Sequence, residues 1–419
     1  MPETGSERAS ETAAFDALAL EFFSVWFRFH PGEALAAGQQ ELGKLLPAQS
    51  DDDHAALGSW LETLIVALEE IDYQALDHPR RLDLELMFAL ARVEHREMLE
   101  RDWRHRDPLR FLPLNEIHRL TLLRPPGMRD SLSALLTAIP DHLRLPLAQL
   151  QPMAELVPPV LVAAAIAAAD DGRRYLRTLS RSRWLRAHCH GCGELETQAE
   201  AAGEALAQYA SALLREIAPR AAGDAGCGED HLRFLLRHRH QLEVEPIACA
   251  PLLEALAAEC DRAFEAAMAG VTDAAADAEP GEPANNRPST LSDRLRTECR
   301  DLSARLRHLD LLTLPRAPLR IAGGPASPQA HQTPIEYLAD LSKGEGILFV
   351  PDGANDRDTP VSGAELRLLC LRLGWGGAHA LAFCGGMAAR ALPRRLSTST
   401  SLTGGWPLHL EALLFDGPD

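Results

Sequence analysis

Apolar residues recur at intervals of three and four along almost the whole of this chain, and that period commits it to helices. Phe15, Leu18, Phe22, Val25, Trp26 and Phe29 make the first stripe, which Pro31 and Gly32 end. A second carries Leu57, Trp60, Leu61, Leu64, Ile65 and Leu68. It starts after Ser50 to Asp53, an acidic cluster able to cap free amides and meet the helix dipole. Further stripes lie between Leu82 and Leu99, at Leu195, Ala202, Leu206, Tyr209, Leu213 and Ile217, at Leu253, Leu256, Cys260, Phe264 and Met268, and at Leu291, Leu295, Cys299, Leu302 and Leu306. Strand-like pieces are few and late: Pro318 to Ile321 and Gly346 to Val350 (GILFV).

No repeat period emerges, which argues against a helical solenoid. The expected fold is therefore mainly α, one large helical domain over 1–419 with a small β element near the C-terminus. Residues 1–269 form its body. Residues 270–290 (GVTDAAADAEPGEPANNRPST) have almost nothing to bury and read as a mobile loop, and 291–419 hold the remaining elements.

The charge balance narrows the partners. With 42 basic and 60 acidic side chains the net charge is −18, which repels phosphate backbones and anionic lipid surfaces, so neither nucleic acid nor membrane is expected as a partner. The most apolar stretch, Leu156 to Ala169, contains Pro158 and Pro159 and falls short of the ~18 uncharged residues of a membrane span. Charges occupy the first fifteen residues, and the 8 cysteines are scattered through helical patterns, as in a cytoplasmic protein with reduced core thiols.

Local chemistry is sparse. His188, Cys189, His190 and Cys192 put four metal-competent side chains into five residues, but a helix would place only His188 and Cys192 on one face, and no second pair follows at zinc-finger spacing. An exposed turn is the plainer reading. His238 and His240 diverge by roughly 200° on a helix. The run from Arg173 to Arg186 reads as a solvated helix face, and Cys384 as a buried structural thiol with no charged neighbour to activate it. No GxSxG elbow or phosphate-binding glycine loop is present.

Two glycine-rich, tryptophan-containing segments stand near the C-terminus, LRLGWGGAHALAFCGG from Leu371 and TSLTGGWPLHLEALLF from Thr400. Together with FFSVWFRFHPGEALAAG, ALEEIDYQALDHPRRLDLELM, LREIAPRAAGDAGCGEDHLRFLL and LTLPRAPLRIAGGP, they resemble the bacterial domain-of-unknown-function-885 (DUF885) family, helical proteins that look like zinc peptidases. The resemblance covers nearly the whole chain. In that family the first segment reads His-Glu-x-x-Pro-Gly-His-His-Leu-Gln and the second Glu-Gly-Trp-Ala-Leu-Tyr-x-Glu. These would supply a His/His/Glu zinc site and a glutamate general base.

Carried over residue by residue, Arg372 stands at the first histidine, Leu373 at the general base, Gly376 at the proline and Ala378 at one of the paired histidines, while Gly377 and His379 match. Gly404 stands at the ligand glutamate and His409 at the tyrosine, while Gly405, Trp406, Leu408 and Glu411 match. A leucine accepts no proton, a guanidinium stays charged and a glycine has no ligand atom. The resemblance thus implies a degenerate, truncated member with no cofactor, in which 291–419 are the remnant of the metal-site region. Its remnant cleft would be walled by Arg372, Leu373, Trp375, Gly377, His379, Gly404, Trp406, His409 and Glu411, with Arg372 either open to a carboxylate or paired with an internal acid.

The function expected is binding of, or assembly with, a protein or peptide partner, as a homo-oligomer or beside an active paralogue. The alternatives are a hydrolase with a metal site rebuilt from His379, His409 or the His188–Cys192 cluster, and a non-catalytic subunit of an active paralogue.

Overall fold

The computed structural model describes residues 5–189, 193–277, 290–328, 335–351, 361–384, 392–396 and 399–415. The N-terminal stripe becomes α1 (Gly5–Phe29), which the proline of the next turn stops; α2 (Pro31–Ala36) follows at once with that proline in its first turn. Ser50 caps α3 (Asp51–Glu70): its hydroxyl accepts from the Asp53 amide at 3.1 Å, and the Asp53 carboxylate accepts from the Ser50 amide at 3.2 Å. Losing such a cap costs about 1 kcal/mol, so Ser50→Ala should lower the thermal midpoint slightly while Ser24→Ala, at an exposed position of α1, leaves it unmoved. With α4 (His78–Glu100) these helices close one core around Phe22, Trp26, Leu61, Leu64 and Met87.

A second core is built by α5 (Leu114–Leu123), α6 (Met128–His142), α7 (Arg144–Leu150), α8 (Pro159–Arg181), α9 (Arg183–His188) and α10 (Gly193–Ala212), the last running into a π turn at Leu213–Ile217. The α8–α10 contact explains the alanine-rich sequence. Ala165, Ala169, Ala199 and Ala202 are all buried, and small side chains let two helices approach closely. Tyr209, fully buried, satisfies its hydroxyl by donating to the Pro108 carbonyl at 2.8 Å.

By internal contacts the chain divides into two units, Met1–Ala225 with Thr290–Asp419, and Gly226–Ser289. The second holds α11 (Glu229–His238) and α12 (Pro246–Asp277), tied by Arg233, which pairs with Glu229, Asp230 and Glu245 at 2.7 Å each. Helix α12 corrects one expectation: it continues through Asp277, well into the segment read as a loop from residue 270, because the alanines of TDAAAD favour helix. Residues 278–289 lie outside the described residues.

In the first unit Thr290 caps α13 (Leu291–Leu309), and three strands form one sheet in the order β1–β3–β2. β1 (Leu319–Gly324) runs parallel to β3 (Glu345–Pro351), with Leu319 opposite Gly346; β2 (Glu336–Asp340) runs antiparallel, with Tyr337 opposite Leu348. Central β3 is covered on both faces, as the unbroken apolar run GILFV requires. Strand β2 has no such signature and is missed by hydropathy alone. Helices α14 (Gly363–Leu369), α15 (Ala378–Phe383), α16 (Leu392–Leu396) and α17 (Thr400–Phe415) complete the unit. Leu295, Cys299, Leu348, Leu366 and Cys370 share a core, with the two sulfurs 3.3 Å apart.

Candidate functional site

The first of the two C-terminal segments is set by its glycines. Helix α14 passes into a π turn, Cys370–Trp375, and the chain then doubles back through Gly374 (φ −99°, ψ −128°) and Gly377 (φ −124°, ψ −115°) into α15. At Gly377 the turn is too tight for any side chain: a Cβ would lie 1.8 Å from the Arg372 carbonyl oxygen. That doubling back seats His379 in the core, 0% exposed, with its ring edge-on to Trp375 at 5.0 Å.

Both nitrogens of His379 are engaged. Nε2 donates to the Ala317 carbonyl at 3.1 Å, so the ring is the Nε2–H tautomer, and Nδ1 accepts from the Tyr337 hydroxyl at 3.3 Å. Burial lowers its pKa to about 4, and the ring is neutral at pH 7. Across from it, Arg372 donates through Nε and Nη2 to the same oxygen of Glu411 on α17, at 2.9 and 2.7 Å. Leu373 and Trp406 are half-buried, and Gly404 and His409 are exposed.

This donor set does not fit a zinc ion. The arginine has taken up the acid, the histidine has no lone pair left to offer, and Gly404 has no side chain. Among the described residues no group of three or more His, Cys, Asp and Glu side chains is placed to hold a metal. At the HCHGC segment His188 Nδ1 accepts nothing but donates to the Trp184 carbonyl at 2.7 Å, while Nε2 faces Arg124 Nη1 at 3.0 Å, and Cys189 is buried. His190 and Cys192 lie outside the described residues. Cys384, expected to be buried, is exposed, since α15 ends at the buried Phe383 and Cys384 turns away in extended backbone.

A second constellation has no local sequence signature. A cavity of about 640 Å³ is lined by residues from α1 to α5 and by Ser327, Glu336, Tyr337 and Leu338 beside and within β2. Its wall at the α1–α2 corner is built by stacking and hydrogen bonding: the His30 ring lies on Trp26 at 4.1 Å, and Trp26 Nε1 donates to Glu33 at 2.7 Å. Arg119 of α5 donates to the Gly32 carbonyl at 3.1 Å, and Gly32 is a glycine against Glu116, whose Oε1 would stand 3.2 Å from a Cβ there. On the same helix His118 bridges Glu336 Oε2 at 2.7 Å and the Tyr175 hydroxyl at 3.2 Å.

Electrostatics mark this wall. Burial lowers the His30 pKa to about 4, although Glu33 and, at 3.7 Å, a Glu94 oxygen favour the charged form. Burial raises the Glu116 carboxyl and lowers the Arg119 guanidinium, each partly offset by the other. Glu336 is held low by the hydrogen bond from His118, against its own desolvation. The order Glu336–His118–Tyr175 is that of a relay to a nucleophile, but Tyr175 is buried and its phenol pushed upward, the wrong direction for activation. Tyr337 joins the two regions, lining the cavity and bonding His379. Neither Arg372, Trp375 nor Trp406 lines it.

The profile of the family described as "Bacterial protein of unknown function (DUF885)" matches residues 31–416. Two solved structures are similar over nearly the whole chain: a candidate lipoprotein of unknown function from Shewanella oneidensis (TM-score 0.64, 14% identity, covering 96% of this chain and 77% of that one) and a candidate lipoprotein from Colwellia psychrerythraea (TM-score 0.72, 14% identity, 97% and 78%). At that identity they share the fold. No curated protein matches. Because the family profile spans residues 31–416, the chain belongs to the DUF885 family of bacterial proteins.

Proposed function

We propose that this chain is a catalytically inactive, peptidase-like member of its family that binds or assembles with a protein or peptide partner. The observation that carries the reading is the Arg372–Glu411 ion pair. The acid of the second segment neutralises a fixed cation at the position of the first ligand, so the segments hold together without an ion between them. Because the pair is partly exposed, it contributes modestly to stability, and its weight in the argument is chemical.

Elemental analysis of the purified protein together with hydrolysis of a panel of unmodified peptides tests this. Far less than stoichiometric zinc and no cleavage are expected. Stoichiometric zinc that leaves on His379→Ala would overturn the reading, and zinc that leaves on Cys189→Ser would move the site to the HCHGC segment. A cytoplasmic location is part of the proposal. The description of the two neighbours as candidate lipoproteins supplies the envelope as the alternative, and cell fractionation decides between them.

A further inference from the structure

We propose that the cavity between the α1–α2 corner, α5 and β2 is a binding site for a small zwitterion with a free ammonium, a free carboxylate and an apolar side chain, in which Glu116 takes the ammonium and Arg119 the carboxylate. The two side chains sit one turn apart on α5 and both face the cavity, a spacing that brings their stems within about 6 Å. Among the described residues Glu116 makes no direct salt bridge, only a longer-range attraction to Arg119, and Arg119, with five N–H donors, uses one on the Gly32 carbonyl. His30 on the same wall leaves its buried Nε2 without a hydrogen-bond partner.

A carboxylate and a guanidinium that have both lost part of their hydration gain most from a ligand that brings the opposite charge to each. A ligand of one sign would satisfy one and repel the other. The remaining wall supplies the apolar contact through Leu57, Met98, Leu112, Leu122 and Leu338. The volume, about 640 Å³, lies in the ordinary range for small-molecule sites. The inference rests on the reading that the chain binds rather than cleaves, and it gives that reading a ligand class.

Calorimetric titration of the full chain uses four probes: L-leucine, L-leucyl-L-leucine, N-acetyl-L-leucine, which lacks the ammonium, and L-leucinamide, which lacks the carboxylate. Saturable binding is expected for at least one zwitterion, with each blocked probe weaker by roughly tenfold to a hundredfold, the worth of one charge-assisted hydrogen bond. Preference for leucine identifies a free amino acid, and preference for leucyl-leucine a short peptide.

Glu116→Gln, nearly isosteric, should weaken the zwitterion by the same factor and, by removing a like charge, leave N-acetyl-leucine equal or tighter. Arg119→Gln should do the converse with leucinamide. Since Arg119 also holds Gly32, the Glu116→Gln arm stands alone if the arginine variant fails to fold. Equal affinity for zwitterions and blocked probes, or no saturable binding by folded wild type, overturns the ligand assignment and leaves the non-catalytic reading intact. Hydrolysis of leucyl-leucine overturns that reading instead.

Discussion

Gly346→Ala is expected to destabilise the protein by about 3 kcal/mol, at the upper end of what overpacking a core costs. The added Cβ would lie 2.2 Å from His379 Nδ1, 2.8 Å from its Cε1 and 2.9 Å from Tyr337 Cε2. Neither ring has room to give. His379 is fully buried and held at both nitrogens, and the Tyr337 hydroxyl is one of its two anchors. The glycine therefore lets β3 pass directly against α15.

Gly404→Ala provides the opposite expectation from the same family of sites. No atom lies within 4 Å of a Cβ at that position, it sits in the exposed start of α17, and alanine in a helix is worth about 0.5–1 kcal/mol over glycine. Urea midpoints at constant m-value measure both. Equal shifts, or a stabilising Gly346→Ala, would show that β3 and α15 are not packed as described.

What sequence reveals here follows from how each feature is encoded. The helical stripes are local, so Leu195, Ala202, Leu206, Tyr209, Leu213 and Ile217 all prove buried, as do Leu291, Leu295, Cys299 and Leu306. The stripe Leu253, Leu256, Cys260, Phe264 and Met268 does form a helix, α12, but its residues are exposed, because periodicity fixes the helix and not what packs against it. GILFV reads as a strand covered on both faces because nothing polar interrupts it. Strand β2, by contrast, is EYLAD, whose polar ends hide it, and its place in the sheet depends on a partner later in the chain.

The site divides in the same way. Arg372, His379 and Glu411 stand in the two segments that the resemblance singles out, and the acid that pairs with Arg372 is Glu411. The cavity wall has no such guide. His118 meets Glu336 across 218 positions, and His30 approaches Glu94 from another helix altogether, so no spacing rule joins them. Even HPGE, the half-buried corner between α1 and α2 that holds His30 and Glu33, carries no spacing that points to Glu116, Arg119 or β2.

The largest solution effect should be acid lability setting in well above the carboxylate range. His30, His142 and His379 each have a pKa lowered by burial to about 4, whereas an unfolded histidine titrates near 6.5. The unfolded chain therefore takes up these protons first. Stability from the three is fully present above pH ~6.5 and is lost as pH falls toward ~4, at up to about 1.4 kcal/mol per pH unit for each histidine, or ~4 kcal/mol per unit together. Glu116 and Asp107 oppose the trend, since a carboxyl raised on folding adds stability as it protonates, but two such groups do not outweigh three histidines in this window.

His142 shows why the proton is resisted. Its Nε2 donates to the Phe111 carbonyl at 3.2 Å, which leaves Nδ1 as the acceptor for the Gln49 amide, also at 3.2 Å. Protonation would set N–H against N–H there. His142→Gln removes the titration while losing part of that packing, so the variant should be less stable than wild type at pH ~7 and flatter below it, the two stability curves converging toward pH ~5. Thermal midpoints across that range measure the convergence. Parallel curves would mean that His142 is not held neutral by its surroundings, and the acid lability would then have to come from the remaining pair alone.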